Sequence, residues 1–206
     1  IANTGSPIFG VIIMKALVIL SGGQDSTTCL AMAIQKHGRD QVKAVTFDYG
    51  QRHRAEIRSA EIIAKLSSIP YHEVIQVGNV LAGSSPLVNK ASQVDAYASA
   101  AVLPGGLEKT FVPMRNSLFL VIAANRAVCW GMGEKLVEMY TGVGQEDYGG
   151  YPDCRASFIS RMENTIVASL DDPSLPGIVI TAPLMYLTKK ETVERSEAIP
   201  GCRDLL

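Results

Sequence analysis

Cysteine is scarce in this chain, neither sign of charge prevails, and long apolar runs are missing. Each shortage excludes something. Four cysteines occur in 206 residues, Cys29, Cys129, Cys154 and Cys202. A secreted disulfide scaffold would be denser in cysteine, and no apolar h-region with a cleavage site is evident. This pattern implies a reducing, cytoplasmic compartment. The cysteines are too far apart for a C-x-x-C pair, so no zinc-ligand spacing lies within the stretch and no metal ligands are assigned in it. Lys and Arg total 19 against 20 Asp and Glu, a formal net charge of −1. Neither half is a basic arm, which argues against nucleic acid as a partner bound by bulk charge. No apolar run reaches the roughly 18–20 residues of a membrane span, which argues against a membrane partner. Hydrophobic residues at 47% and charged residues at 19% exclude a disordered chain. One core of ordinary size, about 100–250 residues, accommodates the length.

Residues 1–13 differ in character from the rest of the chain. Asn3, Thr4, Gly5, Ser6 and Pro7 are turn formers, and Met14 then opens a sharp apolar strand. A leader over 1–13 and a catalytic domain over 14–206 are expected, with a strand over 8–13 as the alternative. From Met14 strands and helices alternate. Strands are expected at 16–20, 42–47, 71–77, 135–141 and 177–181, as short buried runs. Helices are expected at 26–36, 54–67, 116–130 and 156–170. Thr188, Lys189, Lys190 and Glu191 read as a capping box opening a last helix. Residues 78–110 form a long Ser, Ala and Gly-rich loop of the kind that is usually a lid or poorly ordered. Such alternation predicts an α/β fold: a parallel five-stranded sheet with helices on both faces. Ligands of such sheets sit at the carboxyl ends of the strands, near a switch point of the strand order.

The informative loops fall at that edge. Ser21, Gly22, Gly23, Gln24, Asp25, Ser26, Thr27 and Thr28 link the first strand to the first helix. Paired glycines let backbone approach a ligand, and a helix start offers free N–H groups and the positive dipole end. Ser21, Ser26, Thr27 and Thr28 add hydroxyls. This is a phosphate cradle without the Walker spacing and lysine, and without the dinucleotide fingerprint. A plain turn capped by Asp25 or Ser26 is the alternative. Asp48, Gln51, Arg52 and His53 follow the second strand, with Asp48 as a simple helix cap the alternative. Arg115, beside Asn116 at the start of the apolar helix, could pair with phosphate bidentately or lie on the surface. After the fourth strand, 142–155 gathers glycines, aromatics and polar groups, among them Asp147, Tyr151, Asp153, Cys154 and Arg155. Its aromatics could stack on a flat heterocycle. His37 and His72 read as solvated.

The string Ser21-Gly22-Gly23-Gln24-Asp25-Ser26 resembles the signature loop of the ATP pyrophosphatases. These bind ATP, join AMP to a substrate oxygen and release pyrophosphate; GMP synthetase, asparagine synthetase, tRNA thiolases and tRNA lysidine synthetase are members. With the other three segments, the chain from Met14 to about Leu206 resembles the 7-cyano-7-deazaguanine synthases of queuosine biosynthesis, least so over 78–109. That resemblance implies an adenine nucleotide alpha hydrolase-like sheet and a ligase converting 7-carboxy-7-deazaguanine and ammonia to the nitrile. ATP activates first the carboxylate and then the amide, since adenylation makes a poor leaving oxygen a good one. It further implies that Leu20, Ser21, Gly22, Gly23, Gln24, Asp25, Ser26, Thr27, Thr28, Cys29 and Leu30 hold ATP, with Asp25 near magnesium. Asp25, Ser26 and Arg115 would serve catalysis. Asp48, Gln51, Arg52, His53, Arg115, Asn116, Asp147, Tyr151, Asp153 and Arg155 would shape the substrate pocket. Lys189 and Lys190 are candidates to offset phosphate charge, helix surface being the alternative. A homodimer fits the resemblance. The family's zinc site of four cysteines would lie beyond Leu206. Cys154 as a nucleophile with His53 as base is disfavoured, because ATP activation needs no covalent enzyme intermediate. A tRNA-modifying thiolase or lysidine synthetase, or a nucleotide sensor without turnover, are the rivals.

Overall fold

A computed structural model describes residues 14–51, 54–81, 111–145 and 151–206. The expected leader, the alternative strand at 8–13, most of the long loop, and Arg52, His53 and Asp147 lie outside the described residues. Five parallel strands, β1 Lys15–Ile19, β2 Val42–Asp48, β3 Tyr71–Gln76, β4 Leu136–Tyr140 and β5 Gly177–Thr181, form one sheet in the order β3-β2-β1-β4-β5. The helices are α1 Gln24–His37, α2 Ala55–Ser67, α3 Arg115–Gly131, α4 Ala156–Ser169 and α5 Lys189–Ala198. The α/β class and the five strands are as expected.

The period-2 pleat of β1 divides the core. Ala16, Val18 and Leu20 face α1 and α2 together with Val42 and Ala44. Leu17 faces the other way, packing with Val45, Phe47, Val137, Met139, Ile178 and Ile180 against α3 and α4. Both faces are covered, so the strands read as continuous apolar runs. Right-handed crossovers require this arrangement: β1 to β3 winds one way across the sheet, and β4 with β5 lies on the other side of β1. The strand order reverses between β1 and β4, which pair from Lys15↔Val137 to Val18↔Tyr140. Helix α5 lies outside α1, joined by Ala31, Ile199 and Cys202. At the β5 edge, the outward N–H of Ile180 donates to Glu163 Oε2 at 2.6 Å.

Several expectations need correction. Helix α1 begins at Gln24, two positions before the expected Ser26, and neither Asp25 nor Ser26 caps it. Its N-cap is Gly23, with no side-chain cap. His37 is not solvated: its side chain is 3% exposed and Nε2 sits 2.7 Å from Glu138 Oε2. His72 is half-buried, with Nε2 2.7 Å from Thr46 Oγ1. The Thr46 proton goes to the Leu20 carbonyl at 2.6 Å, so His72 is the donor in its own bond. Burial pushes His72 below its ordinary value, with the Glu61 charge opposing. The capping box is present: Thr188 Oγ1 accepts from the Glu191 N–H, and the Glu191 carboxylate accepts from the Thr188 N–H.

Candidate active site at the carboxyl edge of the sheet

The loop after β1 is held by a knot of two serines. Ser26 Oγ donates to the Gly23 carbonyl at 2.9 Å and accepts from the Ser21 N–H at 3.1 Å. With that proton committed, Ser21 donates its hydroxyl to Ser26 Oγ at 3.0 Å. Thr27 and Thr28 back-bond to the carbonyls of Gly23 and Gln24, both at 2.9 Å. This corrects the expectation of hydroxyl donors aimed at a ligand. Ser26, Thr27 and Thr28 are buried, and buried hydroxyls on a first helical turn find the nearest backbone carbonyl. The Gly23 N–H is turned on Ser21 Oγ at 3.4 Å, so what the loop offers an anion is chiefly backbone N–H from the first turn of α1, which has no intrahelical partner for it. The side chains of Leu20, Cys29 and Leu30 are wholly inside the core. Any part they take in holding a nucleotide falls to their backbone, while their side chains carry the loop from beneath. Burial first, then the charges of Asp25 and Cys202, push the Cys29 thiol far above its ordinary range.

Two glycines make the close approaches. Gly22 has φ +87°, and a Cβ there would collide with the Glu56 carbonyl and come within 2.8 Å of the Ala60 nitrogen. Only glycine combines that backbone with α2 packed so closely. Gly142, just past β4, would place a Cβ 3.0 Å from the Asp25 carbonyl carbon and the Ser26 nitrogen. The loop after β4 therefore rests directly on the first turn of α1, across the switch between β1 and β4. From the far side Lys189, opening α5, reaches Asp25 Oδ2 at 2.9 Å. Asp25, Gly142, Gly144, Leu184, Leu187, Lys189 and Thr192 border one small recess. Lys190 points away and pairs with Glu194 at 3.7 Å within its own helix.

The second strand ends in a self-braced turn. Asp48 Oδ1 accepts the Gly50 N–H at 3.2 Å, so Asp48 caps this turn and not a helix. Gln51 is buried, taking the Tyr49 N–H at 2.9 Å and giving its amide to the Phe47 carbonyl at 3.1 Å. Its expected place in the pocket wall is thus a place in the turn. Phe47 stacks on Phe119 at 4.3 Å, and Tyr49 tilts over Phe119 at 5.2 Å.

Helix α3 starts abruptly. Met114 precedes it in the left-handed region, φ 64°, and provides no side-chain cap. The short turn Pro152–Cys154 docks on this helix start. Asp153 Oδ2 accepts the Asn116 N–H at 3.4 Å, and Asn116 Nδ2 donates to the Asp153 carbonyl at 3.1 Å and to Cys154 Sγ at 3.4 Å. Burial pushes the Asp153 carboxyl up, while the Asn116 N–H and the Arg115 charge hold it back; the net direction is upward. Tyr151 is buried and tilts over Phe111 at 5.2 Å. Arg155, by contrast, is exposed at the N-cap of α4. Arg115, Asn116, Tyr151 and Asp153 thus come together, while Asp25, Ser21, Gly22 and Gly142 form a second group at the same edge. Gly142 belongs to the glycine-bearing loop that the sequence points to, whereas Thr46 escapes it; a threonine inside an apolar strand was the available signal.

No group of three or more His, Cys, Asp or Glu side chains converges among the described residues. They therefore do not fit a zinc ion. The backbone cradle at the α1 N-terminus does fit phosphate, and Asp25 fits a magnesium ion held mainly by phosphate oxygens.

The family model described as queuosine biosynthesis protein QueC matches residues 15–202. The 7-cyano-7-deazaguanine synthase of Gloeobacter violaceus is 47% identical over 189 residues, which covers 92% of this chain and 77% of that protein. A solved structure, the U34-tRNA thiolase NcsA from Methanococcus maripaludis with its 4Fe-4S cluster, is similar at 13% identity and a TM-score of 0.43. That match takes in 94% of this chain and 58% of the thiolase chain.

Proposed function

The chain belongs to the queuosine biosynthesis protein QueC family, and on that premise we propose that it is a 7-cyano-7-deazaguanine synthase, an ATP-dependent ligase acting on 7-carboxy-7-deazaguanine and ammonia. The observation that carries the reading is the seating of Gly142 on the first turn of α1. It joins an anion cradle after β1 to a substrate loop after β4, so two ligands can meet across the switch point.

ATP supplies the adenylyl group that turns a carboxylate or amide oxygen into a leaving group. The serine knot fixes the loop so that its N–H groups face phosphate without reorganising. Lys189, now bound to Asp25, would exchange that partner for phosphate oxygens, leaving Asp25 beside the magnesium that accompanies ATP. Arg115 would meet developing negative charge at the reacting carboxyl. Tyr151, Phe111 and the Asp153 segment would wall the flat heterocycle, with Arg52, His53 and Asp147 assigned to the same pocket. Free ammonia is the nitrogen source in this scheme. A reducing cytoplasm is taken as the site of action in this scheme; no helix among the described residues is long and apolar enough to cross a membrane. Assembly as a homodimer belongs to the same reading and is checked by light scattering.

The test is direct. The purified protein is incubated with ATP, magnesium, ammonium and 7-carboxy-7-deazaguanine, and AMP and the nitrile are followed by mass spectrometry. Substrate-dependent AMP with nitrile formation is expected. ATP binding without AMP would leave only a sensor.

A further inference from the structure

We propose that His72 is a positioning residue for nucleotide binding: its Nε2–H, acting through the Thr46 hydroxyl, fixes the peptide by which the chain leaves β1 for the anion cradle. This rests on the ligase reading, which puts ATP at that cradle, and deepens it. The peptide joins Leu20 to Ser21. Its carbonyl accepts the Thr46 hydroxyl at 2.6 Å, and its N–H donates to Ser26 Oγ at 3.1 Å. A peptide is a rigid plane, so bonds at both ends leave it little freedom to rotate. Gly22 and the first turn of α1 follow at once and inherit its direction. Ser26 belongs to the cradle itself, whereas Thr46, on β2, anchors the peptide to the sheet.

Thr46 has one proton and two neighbours able to take it, the Leu20 carbonyl and the His72 ring nitrogen at 2.7 Å. Thr46 is 2% exposed, so no bulk water settles the choice. Burial holds His72 below its ordinary value, and a neutral imidazole carries a single N–H. Were that proton on Nδ1, Nε2 would compete for the Thr46 hydroxyl and the carbonyl would lose its donor. With the proton on Nε2, Thr46 has only the carbonyl left to serve. His72, Thr46 and Leu20 thus run in line from the edge strand β3 through β2 to the residue after β1. The register sets His72 beside Ala44 of the core, where an aliphatic side chain would pack as well. An imidazole there adds a donor that packing does not require.

The experiment measures ATP affinity by isothermal titration in the full-length protein with magnesium, for His72→Leu, His72→Gln, Thr46→Val and the double variant His72→Leu with Thr46→Val. His72→Leu is expected to weaken ATP binding about tenfold, the size of one hydrogen bond's net contribution. His72→Gln, whose amide N–H can reach the same oxygen, should bring it back to within about threefold of wild type. In the Thr46→Val background His72→Leu should cost no more than about twofold. The KM for 7-carboxy-7-deazaguanine should change little. Wild-type ATP affinity in His72→Leu, equal losses in His72→Leu and His72→Gln, penalties that multiply, or a raised KM for the deazaguanine as the main effect would each overturn the proposal. A histidine that served stability alone would give the first of these, with a lowered melting temperature. Should His72→Leu fail to fold by circular dichroism, nitrogen NMR of the wild-type imidazole decides: a proton on Nε2 is expected, and a proton on Nδ1 overturns the proposal. Wild type that binds ATP without substrate-dependent AMP would instead refute the ligase reading, so the two failures are separable.

Discussion

The Asp25 carboxylate and the Lys189 ammonium meet at 2.9 Å although 164 positions separate them. The pair joins the starts of the first and last helices over the recess at the carboxyl edge. Both side chains remain partly exposed, at 29% and 65%, and an exposed pair contributes only about 0–1 kcal/mol. Its significance lies in placing a cation where phosphate would arrive. Asp25→Ala is therefore expected to abolish AMP release while shifting the thermal melt by only a few degrees. Wild-type rates in that variant would remove Asp25 from the site.

Gly142→Ala tests the seam between the two loops. The added methyl would press on the backbone of Asp25 and Ser26 at 3.0 Å, where no flexible side chain can yield. Overpacking of this kind costs about 1–3 kcal/mol. We expect a modest fall in melting temperature and a loss of AMP release of at least about tenfold. Gly22→Ala should be the more destabilising of the two, since backbone strain adds to the clash with Glu56.

Thr46→Val removes the proton held by the Leu20 carbonyl and the acceptor used by His72. A buried carbonyl and a half-buried imidazole lose their partner, which costs about 1–3 kcal/mol. At this chain length each kcal/mol lowers the melting temperature by about 2–4 °C. Because Leu20 leads into the serine knot, weaker nucleotide binding should accompany the loss, as isothermal titration with ATP would show.

Glu138 is buried on β4, with Lys36 Nζ at 2.8 Å, His37 Nε2 at 2.7 Å and Thr181 Oγ1 at 2.5 Å. Burial pushes its carboxyl up, but the bonds from Lys36, Thr181 and His37 outweigh it and the net direction is below the ordinary 4.5. A carboxyl depressed in the folded state contributes stability that is present above its unfolded value and lost as pH falls through the folded one. Acidification from about pH 4.5 downward should therefore destabilise the wild type more steeply than Glu138→Gln. Melting curves between neutral pH and pH 3 are the check, and parallel curves would dissociate Glu138 from acid sensitivity.

Local signals carried most of the architecture. The apolar run of β1, the glycines after it, and the Thr188–Glu191 box announce themselves within a few residues, because each depends on neighbours along the chain. Much of what escaped depends on partners far away. His37 looked like a helix-end residue until β4 brought Glu138 to it from 101 positions off. Thr27 and Thr28 looked like free donors because sequence records a hydroxyl but not the carbonyl that takes its proton. Asp153 and Asn116 were both singled out as pocket residues, yet nothing in their spacing shows that they bind each other. Helix α1 started early for a similar reason: Gly23 serves as the boundary once the serines knot beneath it.

The pairing of β1 with β4 has a consequence for the order of events in folding. Strand β1 emerges first, but its second neighbour is made only after more than half of the chain. Until then one edge of the central strand has no partner, and the turn that supports Gly142 against α1 does not exist. Nucleotide affinity should therefore arise late, as a property of the nearly finished domain. Such long-range closure slows folding and leaves an open edge to be shielded meanwhile. A nascent chain stopped before residue 136 would carry a complete phosphate loop with nothing to hold it in its working shape.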